Sequence, residues 1–342
     1  MADSNPRVLI VIPTLNEAVH IEAVVDRVLE EPPTPYLKAV VVDGGSSDPT
    51  CAIVTALAAR HRSLHLIHNP RRIQSAAINL AARRFGHDAD VLVRCDAHAI
   101  YPRGFVARLL STLQKTGADA VVVPLDSLGR TPLQKAIAWV SNSAIGTGGA
   151  KHRAGNFSGF VDHGHHAAFR METFRKAGGY DETFSHNEDA EFDCRQRALG
   201  GRLYLDSEIR VGYHPRAALK SLFAQYYRYG SGRSRTARRH PHSLRARQLA
   251  VPLHLAACAI AIIGAPWCSW LLVWPAFYLA VLAGTAFWFV IRERSLNGVL
   301  TAPAAAVMHF AWGAGFLAGL ITRRERSWYP TMIMPVQSRK SR

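Results

Sequence analysis

The carboxyl-terminal third of the chain holds three long apolar runs, at about residues 249–265, 269–291 and 299–321. A helix needs about 20 apolar residues to cross a bilayer, so the second and third runs are long enough and the first is marginal. Such runs cross lipid as helices, because a helix satisfies its own backbone hydrogen bonds. Aromatic residues that suit the membrane interface stand near the run ends: Trp267, Trp270, Trp328 and Tyr329. We therefore predict a multi-pass membrane protein.

Charge is spread unevenly along the 342 residues, whose formal net charge is +16. Arginines are crowded just before the first apolar run, at Arg228, Arg233, Arg235, Arg238, Arg239, Arg245 and Arg247. This balance favours anionic partners, namely nucleic acid, anionic lipid or a phosphorylated substrate. Basic segments beside membrane helices tend to stay in the cytoplasm, and the first residues show no secretory signal pattern. We expect an inner-membrane protein whose amino-terminal part is cytoplasmic.

Residues 7–123 alternate short apolar runs with helix-forming stretches. Strands are predicted at Val8–Pro13, Lys38–Val42, Leu64–His68, Val91–Cys95 and Ala118–Val123, with helices between them. This alternation predicts an α/β fold with a mostly parallel sheet that is covered by helices on both faces. No G-x-G-x-x-G follows the first strand, so the usual dinucleotide-binding fingerprint is absent.

The next part of the chain gives weaker patterns. Residues 124–170 are rich in glycine and are predicted to form a long functional loop. Three histidines in this region lack partners at zinc-site spacing, so we expect them to line the loop: His163, His165 and His166. A helix is predicted over about residues 189–199, with a charged exposed face: Glu191, Asp193, Arg195 and Arg197.

Polar residues follow two of the predicted strands. Asp96 and His98 come just after the fourth strand, where both side chains could turn toward one metal–phosphate group. Asp43 follows the second strand and precedes two glycines, which would let the backbone approach a ligand. An ordinary turn explains either segment equally well, so each motif alone leaves both interpretations open.

Two later segments also carry candidate side chains. Glu188 and Asp189 precede a predicted helix, where one carboxylate could act as a general base. The positive end of the helix dipole would favour the same acids without any catalytic role. Gln225 and Arg228 lie in an amphipathic stretch over about residues 217–230 and could clamp a diphosphate leaving group. They could equally belong to a solvated helix end.

In order and spacing, these motifs resemble glycosyltransferase family 2, whose members have the GT-A fold, over about residues 7–230. The resemblance rests on Pro13-Thr14-Leu15-Asn16-Glu17, Val42-Asp43-Gly44-Gly45-Ser46-Ser47-Asp48, Arg94-Cys95-Asp96-Ala97-His98, Gly178-Gly179-Tyr180-Asp181 and Asn187-Glu188-Asp189. The Arg-Cys-Asp-Ala-His form and the apolar carboxyl-terminal part are most similar to membrane glucosyltransferases of succinoglycan biosynthesis, which extend a lipid-diphosphate-linked sugar.

The resemblance implies roles for the matching residues. Asp189 would be the catalytic base, and Asp96 and His98 would hold a divalent cation. Apart from the resemblance, we expect that cation to be Mn²⁺ or Mg²⁺ and His214 to help bind it. The implied nucleotide-sugar contacts are Pro13, Asn16, Glu17, Asp43, Asp96, Gln225, Arg228 and Tyr229. Two positions depart from the family pattern. His98 replaces the second acid of the metal motif, which leaves the metal open, and Tyr229 replaces a tryptophan typical of processive polymerases.

We therefore predict a metal-dependent, inverting hexosyltransferase of exopolysaccharide biosynthesis. It would move a sugar from a nucleoside-diphosphate sugar, expected to be a UDP-hexose, to a hydroxyl of a membrane lipid-diphosphate-linked saccharide. One alternative is a polyprenyl-phosphate glycosyl synthase, in which a lipid phosphate is the nucleophile. A membrane-anchored nucleic-acid-binding protein is a second alternative. Since no nucleic-acid-binding pattern accompanies the arginines, we expect anionic lipids, and no nucleic acid, as further partners.

The predicted organisation has four parts. Residues 1–230 form the catalytic GT-A domain and residues 231–248 a basic juxtamembrane segment. Residues 249–322 form the transmembrane helices, and residues 323–342 form a basic tail.

Overall fold

The structure is a computed structural model that describes residues 6–30, 37–149 and 157–322, together with Glu325 and Trp328. Apart from these two residues, the predicted basic tail lies outside the described part of the chain. The strands are β1 (Val8–Thr14), β2 (Leu37–Asp43), β3 (Leu64–His68), β4 (Val91–Arg94), β5 (Ala99–Ile100), β6 (Ala120–Val123), β7 (Leu125–Ser127), β8 (Gly159–Val161), β9 (His165–Arg170), β10 (Leu203–Leu205) and β11 (Val211–Tyr213).

The strands form one large and one small sheet. The large sheet has the order β3-β2-β1-β4-β9-β6-β10-β8, and the small sheet has the order β5-β11-β7. Strands β1 to β4 run parallel, whereas β9 is antiparallel to β4 and β6. Thr14 pairs with Asp43, and Val11 pairs with Arg94. The carboxyl ends of β1, β2 and β4 therefore meet at one edge of the sheet.

Helices cover both faces of the large sheet. They are α1 (Ile21–Leu29), α2 (Thr50–Arg60), α3 (Gln74–Phe85), α4 (Phe105–Thr116), α7 (Met171–Lys176) and α8 (Glu188–Ala198). Two further helices, α5 (Pro132–Ser141) and α6 (Ala144–Thr147), pack beside β7 and the carboxyl-terminal helices instead. Ile10 and Ile12 pack toward α1, α2 and α4, while Leu9 and Val11 pack toward α3, α7 and α8. Because successive strand residues point to opposite faces, a strand buried on both sides is a continuous apolar run. The predicted α/β fold is confirmed.

The prediction of one long loop over residues 124–170 was wrong. This segment contains β7, α5, α6, β8 and β9. Helix α5 begins at a capping box in which Thr131 and Gln134 bond to each other's backbone, and Pro132 occupies the first turn. These start signals are present in the sequence, but the many glycines around them obscured the pattern.

The charged face predicted for the helix over residues 189–199 was also misplaced. Glu191, Asp193 and Arg195 are buried in α8 rather than exposed. Arg195 Nη2 donates to Glu191 Oε2 at 2.8 Å, and Asp193 Oδ2 lies 2.6 Å from Nδ1 of His163. Periodicity alone cannot separate an exposed charge from a buried one that is offset by a partner.

Four long helices follow in the described part of the chain: α9 (Leu219–Arg239), α10 (Ala246–Gly264), α11 (Val273–Arg292) and α12 (Thr301–Thr322). The segments Ala246–Gly264, Ser269–Arg292 and Leu296–Ile321 are long and apolar enough to cross a membrane. They agree with the three predicted runs and indicate a membrane protein. The amphipathic stretch continues as α9 to Arg239, so the boundary drawn at residue 230 falls inside a helix.

Helices α9 and α12 run side by side at close distance. A Cβ atom added to Gly315 would lie 1.9 Å from the carbonyl oxygen of Tyr227, and one added to Gly230 would lie 2.0 Å from that of Trp312. Small residues therefore allow the two backbones to touch. Beyond α12, the Trp328 N–H donates to the Arg239 carbonyl at 3.0 Å, at the end of α9.

Candidate active site

A cavity of about 640 Å³ lies at the carboxyl edge of the large sheet. Glu17 lines it from the loop after β1, Asp96 and His98 line it after β4, and Asp189 lines it from the first turn of α8. Residues of α9, α10 and α12 form another part of its wall. The cavity therefore joins the edge where GT-A-type motifs were predicted to the helices that can enter a membrane.

Arg94, the last residue of β4, organises the charges at this edge. Its side chain is only 4% exposed, and its guanidinium donates to Asp189 through Nη1. Nε lies 3.3 Å from Asp96 Oδ1, and Nη2 lies 3.8 Å from Glu188 Oε1. A buried cation needs such partners, so Arg94 fixes three carboxylates around one centre.

Close polar contacts hold the Asp189 carboxylate through one of its oxygens, Oδ1. Its Oδ1 accepts from Arg94 and from the Tyr180 hydroxyl at 3.1 Å, and it lies 3.2 Å from His166 Nδ1. Its Oδ2 lies 3.9 Å from His165 Nδ1, too far for a hydrogen bond. Burial raises the pKa of Asp189, but Arg94 and His166 outweigh it and hold that pKa well below the usual range. Asp189 is therefore an oriented, ionised carboxylate with one oxygen left for a substrate.

Glu188 has the opposite shift. Burial raises its pKa, and the neighbouring Asp189 carboxylate raises it further, to about 7, although Arg94 partly counteracts them. Like charges this close disfavour ionisation of the second group. Glu188 therefore exchanges a proton near neutral pH while Asp189 stays charged.

Of the three histidines predicted to line a loop, His163 lies in the loop between β8 and β9, whereas His165 and His166 begin strand β9. His166 is buried between Asp189 and Asp193, with Nε2 at 2.5 Å from Asp193 Oδ1. Burial alone would lower the pKa of His166, but Asp193 and Asp189 raise it to about 9. His165 lacks such close partners, and burial lowers its pKa to about 4. One imidazole is thus cationic and supports Asp189, and the adjacent one is neutral.

Asp96 and His98 stand together beside the Arg94 group. Asp96 Oδ1 accepts from Gln74 Nε2 at 2.6 Å, and its Oδ2 lies 3.6 Å from His165 Nε2. His98 Nδ1 lies 2.8 Å from Glu17 Oε1, a contact that raises the pKa of His98. The Glu17 contact orients the ring through Nδ1 and leaves Nε2 as the nitrogen that a ligand could use.

The sequence matches a known protein family, Glycosyl transferase family 2, over residues 9–178. It is also 42% identical over 319 residues to the succinoglycan biosynthesis protein ExoA of Rhizobium meliloti (strain 1021). That alignment covers 93% of this chain and 96% of the relative. The chain belongs to glycosyltransferase family 2. The predicted family is confirmed, and the chain is a glycosyltransferase.

Solved structures show the same GT-A fold. The mannosyltransferase PcManGT from Pyrobaculum calidifontis, in complex with GDP-Man and Mn²⁺, has a TM-score of 0.59 and 23% identity, over 90% of this chain and 88% of that one. GalNAc-T7 with UDP, GalNAc and Mn²⁺ has a TM-score of 0.50 and 16% identity, over 71% of this chain and 52% of that one. At these identities the likeness concerns the fold alone.

The residues predicted to bind a metal ion lie in two different places. Asp96 and His98 line the cavity, whereas His214 is not among the residues that line it. His214 Nδ1 lies 2.6 Å from the Leu128 carbonyl oxygen instead. Within the described ranges, no three His, Cys, Asp or Glu side chains are close enough to hold a metal ion.

The residues predicted to contact the nucleotide sugar also differ in position, since some line the cavity and others do not. Pro13 and Glu17 line the cavity, but Asn16 and Asp43 serve the loops beside it. Asn16 Oδ1 accepts from the Ser47 N–H at 2.8 Å, and Asp43 Oδ2 accepts from the Gly45 N–H at 2.7 Å. The Asn16 bond ties the loop after β1 to the loop after β2, and the Asp43 bond shapes the turn that follows β2.

The α9 residues predicted to clamp a diphosphate point to different places. Gln225 and Tyr229 line the cavity, and Gln225 Nε2 donates to the Tyr229 hydroxyl at 2.9 Å. Arg228 lines a smaller groove with His186 and Arg235. One helical turn thus carries side chains on two faces, and spacing alone could not show which face the cavity would meet.

Sequence reasoning missed the residues that hold the named acids in place: Gln74, Arg94, His165, His166, Tyr180 and Asp193. Arg94 did leave a signal, because a charged residue inside the apolar strand run Val91–Cys95 must be paired when that strand is buried. The partners of Asp189 come from β4, β9 and the loop before α8, so only the folded chain reveals them.

Proposed function

We propose that this glycosyltransferase moves a sugar, with inversion, from a nucleoside-diphosphate sugar to a hydroxyl of a lipid-diphosphate-linked saccharide in polysaccharide biosynthesis. A UDP-hexose is the proposed donor. The observation that carries the proposal is the single cavity, which holds an ionised Asp189 and also reaches α10 and α12. The name of the Rhizobium relative supports a polysaccharide product.

The proposed reaction is a single displacement. Asp189 Oδ2 accepts the proton of the acceptor hydroxyl while that oxygen attacks the anomeric carbon. The new carbon–oxygen bond forms as the bond to the donor phosphate breaks, and the nucleoside diphosphate leaves with the electron pair. Arg94, Tyr180 and His166 keep Asp189 oriented through Oδ1.

A divalent cation fits the donor set at Asp96 and His98. Asp96 offers a carboxylate oxygen and His98 offers Nε2, and phosphate oxygens of the donor would complete the coordination. Bound there, a cation would neutralise charge that develops on the leaving diphosphate. We propose Mn²⁺ or Mg²⁺ in this role, and the two structural neighbours, which are complexes with Mn²⁺, support it.

We further propose that the protein lies in the inner membrane with its catalytic domain in the cytoplasm. Arginines at the end of α9 and the start of α10 support this orientation, because basic segments favour the cytoplasmic side. They would also attract anionic lipids there.

A polyprenyl-phosphate glycosyl synthase remains the second candidate, because the same cavity meets apolar helices where a lipid phosphate could enter. Incubation of membranes with a panel of radiolabelled sugar nucleotides tests both functions. We expect a lipid product whose new sugar bond survives the mild acid that cleaves sugar phosphates. A new bond that is itself acid-labile would favour the synthase, and incorporation from no donor would contradict both.

A further inference from the structure

One part of the cavity wall is formed by residues of three helices, α9, α10 and α12. Helix α9 supplies Tyr226 and Arg233, about two helical turns apart. Helix α10 supplies Arg247, Gln248 and Val251, and α12 supplies Met308 and Trp312. We call this part of the cavity, defined by these seven residues, the helix chamber. It combines two guanidinium groups with an apolar wall.

Arg233 is a buried cation without a carboxylate partner among the described residues. Its side chain is 6% exposed, and its guanidinium donates to the carbonyl and the hydroxyl of Ser243 and, at 3.2 Å, to Gln248 Oε1. Burial lowers the pKa of Arg233, and the nearby Arg245 and Arg247 lower it further. Neutral oxygens orient this charge but do not offset it, so an anion would be stabilised beside it.

Arg247 extends the positive charge into the chamber. Its Nη1 has one neutral contact, the Gly148 carbonyl at 3.4 Å, whereas Arg245 on the same turn pairs with Asp162. Arg247 lies in the first turn of α10, where the helix dipole adds to the attraction of an anion. The two chamber cations therefore differ from Arg245, whose charge is already matched.

The helix chamber combines cationic and apolar groups, so it suits an amphiphilic ligand. Val251, Met308 and Trp312 give it an apolar wall on helices that are apolar enough to enter a membrane. Guanidinium groups bind phosphate oxygens through paired hydrogen bonds, and the apolar wall suits a hydrocarbon chain. We propose that Arg233 and Arg247 bind the diphosphate of the lipid-linked acceptor, with its lipid along Val251 and Trp312. This inference rests on the proposed function and adds the acceptor subsite to it.

Binding measurements on the full-length protein in detergent test the subsite without knowledge of the sugar. The probe is farnesyl diphosphate, with farnesol and inorganic pyrophosphate as its separate halves. We expect the wild-type protein to bind the probe more tightly than either half. Loss of a charge-assisted phosphate contact in Arg247→Ala should raise the probe Kd about ten- to hundredfold. The Kd values for farnesol and for UDP should stay within about twofold.

The matched control is Arg292→Ala, which removes the same charge at the far end of α11, where Arg292 pairs with Glu293. Its probe Kd should not change. An equal loss in both variants, or displacement of the probe by excess phosphatidylglycerol, would assign the effect to general attraction of anions and overturn the inference. So would an unchanged Kd in Arg247→Ala, or an equal loss of UDP binding.

Arg233→Lys retains the charge but loses the planar fork, so a partial loss of probe binding is expected if its thermal unfolding matches the wild type. The inference and the proposed function can fail separately. Probe binding that depends on Arg247, without sugar transfer to any lipid-linked acceptor, would leave the subsite standing and remove the reaction. Sugar transfer by the wild-type protein, together with unaltered probe binding in Arg247→Ala, would support the reaction and overturn the subsite.

Discussion

Asp189 and Glu188 are adjacent in the chain, yet their environments separate their pKa values. Arg94 and His166 hold Asp189 ionised, while burial and the Asp189 charge raise the pKa of Glu188 to about 7. By pKa alone Glu188 matches a base at neutral pH better. Geometry favours Asp189, because three donors orient its Oδ1 and leave Oδ2 for an acceptor.

The pH dependence of the rate distinguishes the two acids. If Asp189 is the base, it stays ionised between about pH 8 and 5. Its protonation should therefore not lower the rate in that range. With Glu188 as the base, the rate would halve near its pKa of about 7 as pH falls. We expect Asp189→Asn to lose ~10²–10⁴-fold in kcat and Glu188→Gln to keep most of it.

UDP binding and the unfolding midpoint serve as controls for both variants, since Arg94 keeps Asp96 as a partner. A rate above about a tenth of wild type in Asp189→Asn would remove Asp189 from the role of base.

A second prediction at this scale concerns His98. Imidazole suits later transition metals, whereas Mg²⁺ prefers six oxygen ligands. We expect Mn²⁺ to support transfer at least as well as Mg²⁺, and His98→Ala to raise the metal concentration needed for half-maximal rate. His98→Asp restores an oxygen ligand and should shift the preference toward Mg²⁺. Metal titrations of the three proteins test this, and identical curves would show that His98 is not a ligand.

At the scale of elements, the sequence predicted strands well and the role of α8 poorly. Val8–Thr14 and Leu64–His68 are local features, because an apolar run between turn residues forms a buried strand wherever it packs. The burial of Glu191 and Asp193 depends on partners from other elements, namely His240 and His166. Pairing between distant residues leaves no periodic pattern in the sequence. The sequence therefore predicts an exposed charged face for a helix whose charged residues are largely buried.

The contact between α9 and α12 gives a prediction about glycine. Gly315→Ala would place a Cβ against the Tyr227 backbone, which cannot yield as a flexible side chain does. We expect a loss of roughly 1–3 kcal/mol or more in stability, as overpacking typically costs. Gly284→Ala on α11 is the matched control, since an added Cβ meets nothing within 4 Å there. Equal unfolding midpoints for the two variants in detergent would contradict tight packing of α9 against α12.

At the scale of the molecule, composition marks three apolar helices but does not decide how many cross the bilayer. Helix α12 follows α9 along its length, and α9 carries arginines that lipid would disfavour. The segment before α12 packs on α5, and Glu325 beyond α12 pairs with Arg235. Both ends of α12 therefore contact the catalytic part, which only the folded chain could reveal.

These contacts predict that α12 does not cross the membrane. A cysteine at the exposed position Leu296 and one added after Arg342 should both react with an impermeant maleimide from the side of the catalytic domain. Both cysteines are introduced into a protein that lacks the native ones, Cys51, Cys95, Cys194, Cys258 and Cys268. Reaction of the two positions from opposite sides would show that α12 is a full span.

The proposed single-displacement transfer to an acceptor hydroxyl, with Asp189 as the base, would invert the configuration of the anomeric carbon. The anomeric configuration of the product tests it most directly. The purified protein is incubated with the active sugar nucleotide and its lipid-linked acceptor, and the new linkage is assigned by NMR. We predict that an α-linked donor yields a β-linked sugar on a carbohydrate hydroxyl. A retained α linkage, or a new bond from the sugar to phosphate, would contradict the account.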